Sequence, residues 1–184
     1  MQLVQYGSAL IQRRQTFAEE LGEIVHRIHS QLSGGQEEME LKYEPNVTVD
    51  AFAQMLFANR ERDMRLKTTA TGPHRDDISF VVNGVDIRKF GSQGQQRTAA
   101  LSLKLSEIEL VKRLIGDTTV LLLDDVLSEL DSGRQNYLLN SIENIQTLIT
   151  CTGLDEFVNH RFSINRIYKV TDGSVTVENK QEAD

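Results

Sequence analysis

An α/β fold is what this sequence predicts, on three observations. Leu10, Phe17, Leu21, Ile24, Val25 and Ile28 recur at helical spacing, which makes one long amphipathic helix from Val4 to about Leu32. Val120-Leu121-Leu122-Leu123 is a short continuous apolar run, the pattern of a strand buried on both faces of a parallel sheet. Between them, Leu101, Leu103, Leu105, Ile108, Leu110, Val111 and Leu114 give a second helix, Gln95 to about Ile115, apolar on most of its circumference.

The remaining elements follow in order. The literal string Leu32-Ser33-Gly34-Gly35-Gln36 reads as the C-terminal stop of the first helix. Glu38 to Glu44 alternates apolar with charged residues, as a strand does, and Pro45 ends it. Asp50 is placed to cap a helix running to Arg60, with Phe52, Met55, Leu56 and Asn59 on one face. From Thr68 the texture changes to strands and tight turns. Ile78 to Val82 and Val85 to Ile87 flank Asn83-Gly84, the strongest short hairpin signal. After the apolar strand, Tyr137, Leu138, Ile142 and Ile145 keep helical spacing. Thr147 to Thr152 reads as another buried strand, and a last hairpin, Arg166 to Val170 with Ser174 to Val177, turns at Asp172-Gly173. Residues 179–184 read as a disordered tail.

Composition narrows the classes of function. A single cysteine, Cys151, excludes an internal disulfide and fits a buried thiol in a reducing cytoplasm. No apolar stretch is long enough to cross a membrane, so a soluble, cytoplasmic protein is expected. Net charge is −7, which argues against a nucleic-acid partner until its distribution is considered. Residues 58–97 hold eight Lys and Arg against five Asp and Glu, and both flanking segments are acidic. Arg60, Arg62, Arg65 and Lys67 cluster there, and Arg75 follows. Such a group neutralises phosphates, or it is a solvated helix face paired with Glu61 and Asp63.

Chemistry concentrates in two later segments. Ser92-Gln93-Gly94-Gln95 opens the second helix, so a hydroxyl, backbone N–H groups and the positive dipole end face whatever docks there, and phosphate is the usual guest. Asp124 ends the apolar strand at its carboxyl side, where open α/β sheets place ligands. Two adjacent carboxylates there suit a Mg²⁺ ligand, Asp124, followed by a residue that polarises water, Asp125. Each piece alone also has a plain reading, as a loop or as a cap for the next helix.

In this order the motifs resemble one family. Thr71-Gly72-Pro73-His74-Arg75-Asp76-Asp77, then Phe90 to Thr98, then Leu121 to Asp131 are similar to the RecF family of bacterial recombination and repair proteins, in the SMC-like branch of the ABC ATPases. The resemblance runs from about Gln2 to Val177. It implies the C-terminal half of an ABC-type ATPase head, a mostly parallel sheet with helices, plus a smaller helical lobe. The implied division is 1–67 for the lobe, 68–178 for the half-head with its signature, Walker B and D-loop, and 179–184 for the tail. It implies that Ser92, Gly94 and Gln95 meet the γ-phosphate of ATP held by a second protomer, with Asp131 and Thr152 as further nucleotide contacts. Leu32-Ser33-Gly34-Gly35-Gln36 spells the signature of these ATPases literally, but the alternating residues after it read as a strand, whereas a signature must open a helix that leads to the Asp-Asp strand. Thr152 stands where most of these ATPases carry a His. Asp125 stands where most carry Glu, one methylene longer, and slow hydrolysis follows from the shorter reach.

The resemblance further implies an ATP-dependent homodimer clamped on DNA at junctions of single and double strands, aiding recombinase loading and the SOS response with other mediator proteins. Arg60, Arg62, Arg65, Lys67 and Arg75 are the expected DNA contacts. No Gly-x-x-x-x-Gly-Lys-Ser/Thr occurs in the sequence, so a C-terminal fragment, silent alone, is expected. The alternative class is a non-catalytic DNA- or protein-interaction module. His74 has no role derivable from the sequence, and the plain reading of His74-Arg75 is ion pairing with Asp76 and Asp77.

Overall fold

Strand β1 (Met39–Glu44) alternates buried and exposed residues and pairs antiparallel with β2 (Asp77–Val82), Leu41 opposite Phe80. The computed structural model describes residues 2–116, 120–142, 144–152 and 164–178. Compact packing divides the chain into two units, Met1–Thr119 and Val120–Asp184. The expected division at 67/68 falls inside the first of these.

The first unit is built on α1 (Gln2–Leu32), which packs against β1 and against α5 (Gln93–Ile115). Its buried stripe runs through Gly7, Ile11, Ala18, Leu21, Val25, Ile28 and Leu32, so Leu10 and Phe17, expected inside, are each over 40% exposed. Gly7 is needed for a close approach. A Cβ there would stand 2.3 Å from the Phe52 ring, which is fully buried in a cluster with Ile11 and Val47. Phe52 belongs to α2 (Val49–Ala58), whose N-cap is Thr48. Asp50 therefore sits inside the first turn and does not cap the helix. The helix also stops at Asn59, and a separate short helix, α3 (Arg60–Leu66), follows.

At the end of α1 the Ser33-Gly34-Gly35 string does what a helix stop requires. Gly35 N–H reaches back to Ser30 O at 2.7 Å, Gly34 N–H to Gln31 O at 3.3 Å, and Gly34 takes φ +64. That is the paired hydrogen-bond closure that glycine favours. The Asn83-Gly84 turn has positive φ at both residues and joins β2 to a short β3 (Val85–Asp86). Ile87, expected in that strand, starts the one-turn helix α4 (Ile87–Phe90). On α5, burial is carried by Leu101, Leu105 and Leu110 together with Thr98, Ser102 and Ser106, whereas Leu114 is 67% exposed. The three hydroxyls return to carbonyls four residues back, at 2.8, 2.7 and 2.6 Å, so their burial leaves no donor unmet.

The second unit holds the parallel part of the fold. β4 (Leu121–Asp124) pairs in parallel with β5 (Thr147–Thr150), Asp124 opposite Thr150. Between them a turn of 3-10 helix at Leu127–Glu129 leads to α6 (Ser132–Ser141), anchored by buried Leu127, Leu138, Leu139 and Ile142. β4 was expected to be buried on both faces. Leu121 and Leu123 are buried, but Leu122 is 70% exposed, because alternate side chains of a strand face opposite sides and only one side is covered among the described residues. β5 is likewise half-covered and ends at Thr150, two residues short of expectation. The hairpin of β6 (Ile167–Thr171) and β7 (Ser174–Glu178) turns at Asp172-Gly173 as expected, and the tail from 179 lies outside the described residues.

The loop between α3 and β2 is fixed by one carboxylate. Asp76, with its side chain 1% exposed, accepts from Arg14 Nη1 at 3.1 Å, from the Tyr43 hydroxyl and from Asn46 N–H at 2.9 Å. Arg14 also donates to Pro73 O, and Asn46 Oδ1 accepts Gly72 N–H at 3.0 Å. Burial first, and then the neighbouring Asp76 carboxylate, push the Tyr43 hydroxyl from 10.0 up to about 12. The fold thus favours neutral Tyr43. That contribution is whole below pH 10 and is lost as pH rises towards 12. Denaturant unfolding across this window is expected to show stability falling with pH, and a shallower fall in Tyr43→Phe; equal slopes would contradict the assignment.

Candidate functional site

The Ser92 turn is a helix start with both halves of a capping box. Ser92 Oγ accepts Gln95 N–H at 3.2 Å, and Gln95 Oε1 accepts Ser92 N–H at 3.0 Å. Among the described residues, these two bonds leave the Ser92 hydroxyl proton and the first-turn amides of Gln93 and Gly94 uncommitted at the positive end of a 23-residue helix. A Cβ at Gly94 would meet Ser92 Oγ at 3.9 Å, an ordinary contact distance. Ser92, Gly94 and Gln95 are therefore brought together as expected, at a place suited to an anion.

At the carboxyl end of β4, Asp124 and Asp125 stand in different conformations. Asp124 is the last strand residue and accepts a hydrogen bond from the Thr150 hydroxyl across the parallel pair. Asp125 turns into the left-handed region, φ +51, and its N–H donates to Thr150 O at 3.2 Å and to Thr150 Oγ1 at 3.1 Å. A short polar side chain is what that backbone region tolerates among residues with a Cβ. Asp in place of the longer Glu thus has a conformational reason.

A Mg²⁺ ion fits this end of the strand. Such an ion uses one or two carboxylates, keeps several waters and takes phosphate oxygens, and Asp124 is exposed with one oxygen tethered. Among the described residues no group of three or more acidic, His or Cys side chains forms a metal cage. Thr150 was not singled out from the sequence. Its signal was its register opposite Asp124, which only the strand pairing reveals.

Asp131 is the N-cap of α6, accepting Arg134 N–H at 3.0 Å and pairing with the Arg134 guanidinium at 3.2 Å. Thr152 lies two residues past the end of β5 and is exposed, while Cys151 is half-buried.

The basic residues map to α3 and the loop after it. Arg60, Arg62 and Arg65 are exposed on α3, and Lys67 is its C-cap in the left-handed conformation, φ +52. None of the four makes an ion pair among the described residues. The interleaved Asp63 is occupied elsewhere, its carboxylate accepting Ala70 N–H at 3.2 Å. Arg75 does not pair with Asp76 or Asp77 either. Its Nε donates to Thr69 O at 3.1 Å, and the His74 ring meets the same carbonyl at 2.8 Å. Asp77 instead pairs with Arg88 at 3.0 Å; the Ile78 N–H first, and then Arg88, hold its carboxyl below the usual range. Phe57, Ala58, Arg60, Glu61 and Met64 line a shallow open depression, with Phe57 78% exposed.

Thr150→Val keeps the size of the side chain and removes its hydroxyl. It is expected to cost about 1 kcal/mol locally, read as roughly fivefold faster hydrogen exchange of the Asp125 amide. An unchanged rate would remove Thr150 from the site.

No family model matches the chain. The chain is 59% identical over 179 residues to a DNA replication and repair protein RecF of Lachnospira eligens, a match covering 97% of this chain and 49% of that protein. It is 59% identical over 177 residues to its namesake in Agathobacter rectalis, 96% of this chain and 49% of that one. The namesake in Clostridium acetobutylicum is 43% identical over 181 residues, 95% of this chain and 49% of that one. The chain thus spans about half the length of the curated relatives it matches. Among solved structures it is similar to the recombination mediator protein RecF-ATP in the RecFOR pathway, with a TM-score of 0.81 and 34% identity, covering 97% of this chain and 48% of that chain. The RecF-ATPrS structure gives 0.79 and 34%, covering 95% of this chain and 48% of that chain.

Proposed function

We propose that this chain, similar to RecF proteins over about half of their length and with the mixed helix and sheet of part of their ATPase, supplies the signature and Walker B half of an ATP-dependent clamp acting on DNA in replication and repair. The observation that carries this reading is the presence of two unlike termini, one in each unit. A capped helix start at Ser92 has spare donors, and a parallel strand ends in Asp124 and Asp125. The sequence holds no phosphate loop, so in this reading the loop comes from outside these 184 residues.

In the proposed site, Asp124 holds Mg²⁺ and Thr150 keeps its carboxylate aimed. Asp125 orients and polarises the attacking water. Mg²⁺ would supply charge neutralisation on the phosphates when bound. The Ser92 hydroxyl and the Gly94 amide donate to the γ-phosphate of ATP bound by a second protomer, with Gln95 shaping the turn. Asp131 and Thr152 are placed as further nucleotide contacts. Nucleotide binding closes two copies on DNA, and turnover opens them; other mediator proteins act with the closed form. The division into a lobe, 1–67, and a half-head, 68–178, belongs to the same proposal, as does action in the cytoplasm. Among the described residues no helix is long and apolar enough to cross a membrane.

In a full-length protein carrying these residues, Asp125→Asn is expected to keep ATP binding and ATP-dependent dimerisation while turnover falls at least about 100-fold. Ser92→Arg puts a cation into the turn and removes a helix cap at a cost of about 1 kcal/mol. It should block dimerisation and spare ATP binding by the same chain. Gln36→Arg, in the literal signature string, changes an exposed side chain and should leave dimerisation intact. Dimerisation lost in Gln36→Arg and retained in Ser92→Arg, measured by sedimentation with ATP, would reverse the assignment.

A second surface is favoured by the unpaired cations of α3. Arg60, Arg62, Arg65 and Lys67, with Arg75 on the adjoining loop, are proposed to contact DNA phosphates. Two neutralised phosphates contribute about 1.8 to the slope of log affinity against log salt. Arg62→Glu with Arg65→Glu should weaken binding evenly across sequences and flatten the slope by about that much. An unchanged slope would move the DNA surface elsewhere.

A further inference from the structure

His29 lies on α1 with no exposure to solvent, and its ring joins two distant parts of the first unit. Nδ1 meets Ser102 Oγ on α5 at 3.0 Å, and Nε2 meets Glu37 Oε2 at 3.2 Å. The Ser102 hydroxyl spends its proton on Thr98 O, so toward His29 it accepts. Toward the Glu37 carboxylate, which only accepts, the ring presents its Nε2–H. Glu37 is itself held by its backbone, its N–H donating to Ser33 Oγ at 3.2 Å. Its second oxygen, Oε1, accepts Gln95 Nε2 at 3.0 Å. Gln95 is the residue whose Oε1 closes the capping box on Ser92.

A carboxylate accepts and never donates, so Glu37 decides which end of the Gln95 amide turns towards it. The NH₂ group must face Glu37, and the carbonyl oxygen is thereby left facing Ser92 N–H. We propose that Glu37, held by His29, is the positioning residue for the Gln95 side chain of the signature turn. The literal Ser33-Gly34-Gly35-Gln36 string thus has a structural use: it places Glu37 beside the turn that meets phosphate. The inference rests on the reading of that turn given under the proposed function, because only there does the Gln95 orientation affect ATP-dependent dimerisation.

The test combines two readouts. In the present chain, with no nucleotide, Glu37→Gln should shift the Gln95 side-chain amide resonances and speed exchange of the Ser92 backbone amide. In the full-length protein, Glu37→Gln should weaken ATP-dependent dimerisation about tenfold, the loss of one charge-assisted hydrogen bond, and leave same-chain ATP affinity unchanged. With Gln95→Ala already present, Glu37→Gln should add nothing, because its target is gone. Unchanged Gln95 resonances would overturn the inference, whatever the turn does, and so would losses that multiply in the double variant. If Glu37→Gln does not fold, Glu37→Asp, which keeps the charge and shortens the reach, must give the same resonance shifts and the same non-additivity or the inference falls. If Ser92→Arg spares dimerisation while the Gln95 resonances respond to Glu37→Gln, the positioning stands and the reading of the turn fails.

Discussion

The buried carboxylate of Asp76 is the constraint on which the first unit depends. It is the one acceptor shared by Arg14 of α1, Tyr43 of β1 and the backbone of Asn46. A charge taken out of water is tolerated only when its lone pairs are filled, and here three donors from three segments fill them. The long helix, the first strand and the loop leading to β2 are thereby locked in one arrangement. The Thr71 to Asp77 string reads as a motif because its residues have to meet this knot. Asn59 Nδ2 bonds Thr71 Oγ1 at 2.9 Å, and Gly72 N–H bonds Asn46. His74 and Arg75, left outside, both meet the Thr69 carbonyl, and the Arg75 guanidinium adds a positive charge to the loop after α3.

A second buried polar chain fixes the other end of the unit. From Ser102 through His29 and Glu37 to Gln95, it connects the interior of α1 and α5 with the exposed turn at Ser92. Side-chain hydroxyls on α5 belong to the same economy of small residues. Thr98, Ser102 and Ser106 let α1 lie close, and each returns its proton to its own helix. The turn that would meet phosphate therefore starts a helix whose position is set by packing and whose first side chain bonds are set by charge.

Local chemistry made much of this legible in the sequence. The Asn83-Gly84 and Asp172-Gly173 turns, the helix stop at Gly34-Gly35, the helix opening at Ser92 and the strand ending at Asp124 are all written in a few adjacent residues. What stayed hidden depended on register and on partners far along the chain. The buried stripe of α1 is displaced from Leu10 and Phe17 to Ile11 and Ala18, because Phe52 from α2 requires a glycine at position 7 of the facing helix. The expected ion pairs of Arg75 were assigned by proximity in sequence, whereas Asp76 was taken by Arg14, 62 residues away. Thr150 and Glu37 escaped notice for the same reason, since each acts across a strand pair or a helix packing that no local pattern encodes.

In the proposed reading, phosphate is met at Ser92 to Gln95 of one protomer and at Asp124 and Asp125 of the other. A structure of the full-length protein closed around a non-hydrolysable ATP analogue and Mg²⁺ tests it most directly. The expected result is a γ-phosphate within hydrogen-bond reach of Ser92 and Gly94 from one protomer, with the metal on Asp124 of the other. A phosphate seated against Ser33 to Gln36, or a metal that Asp124 does not touch, would contradict it.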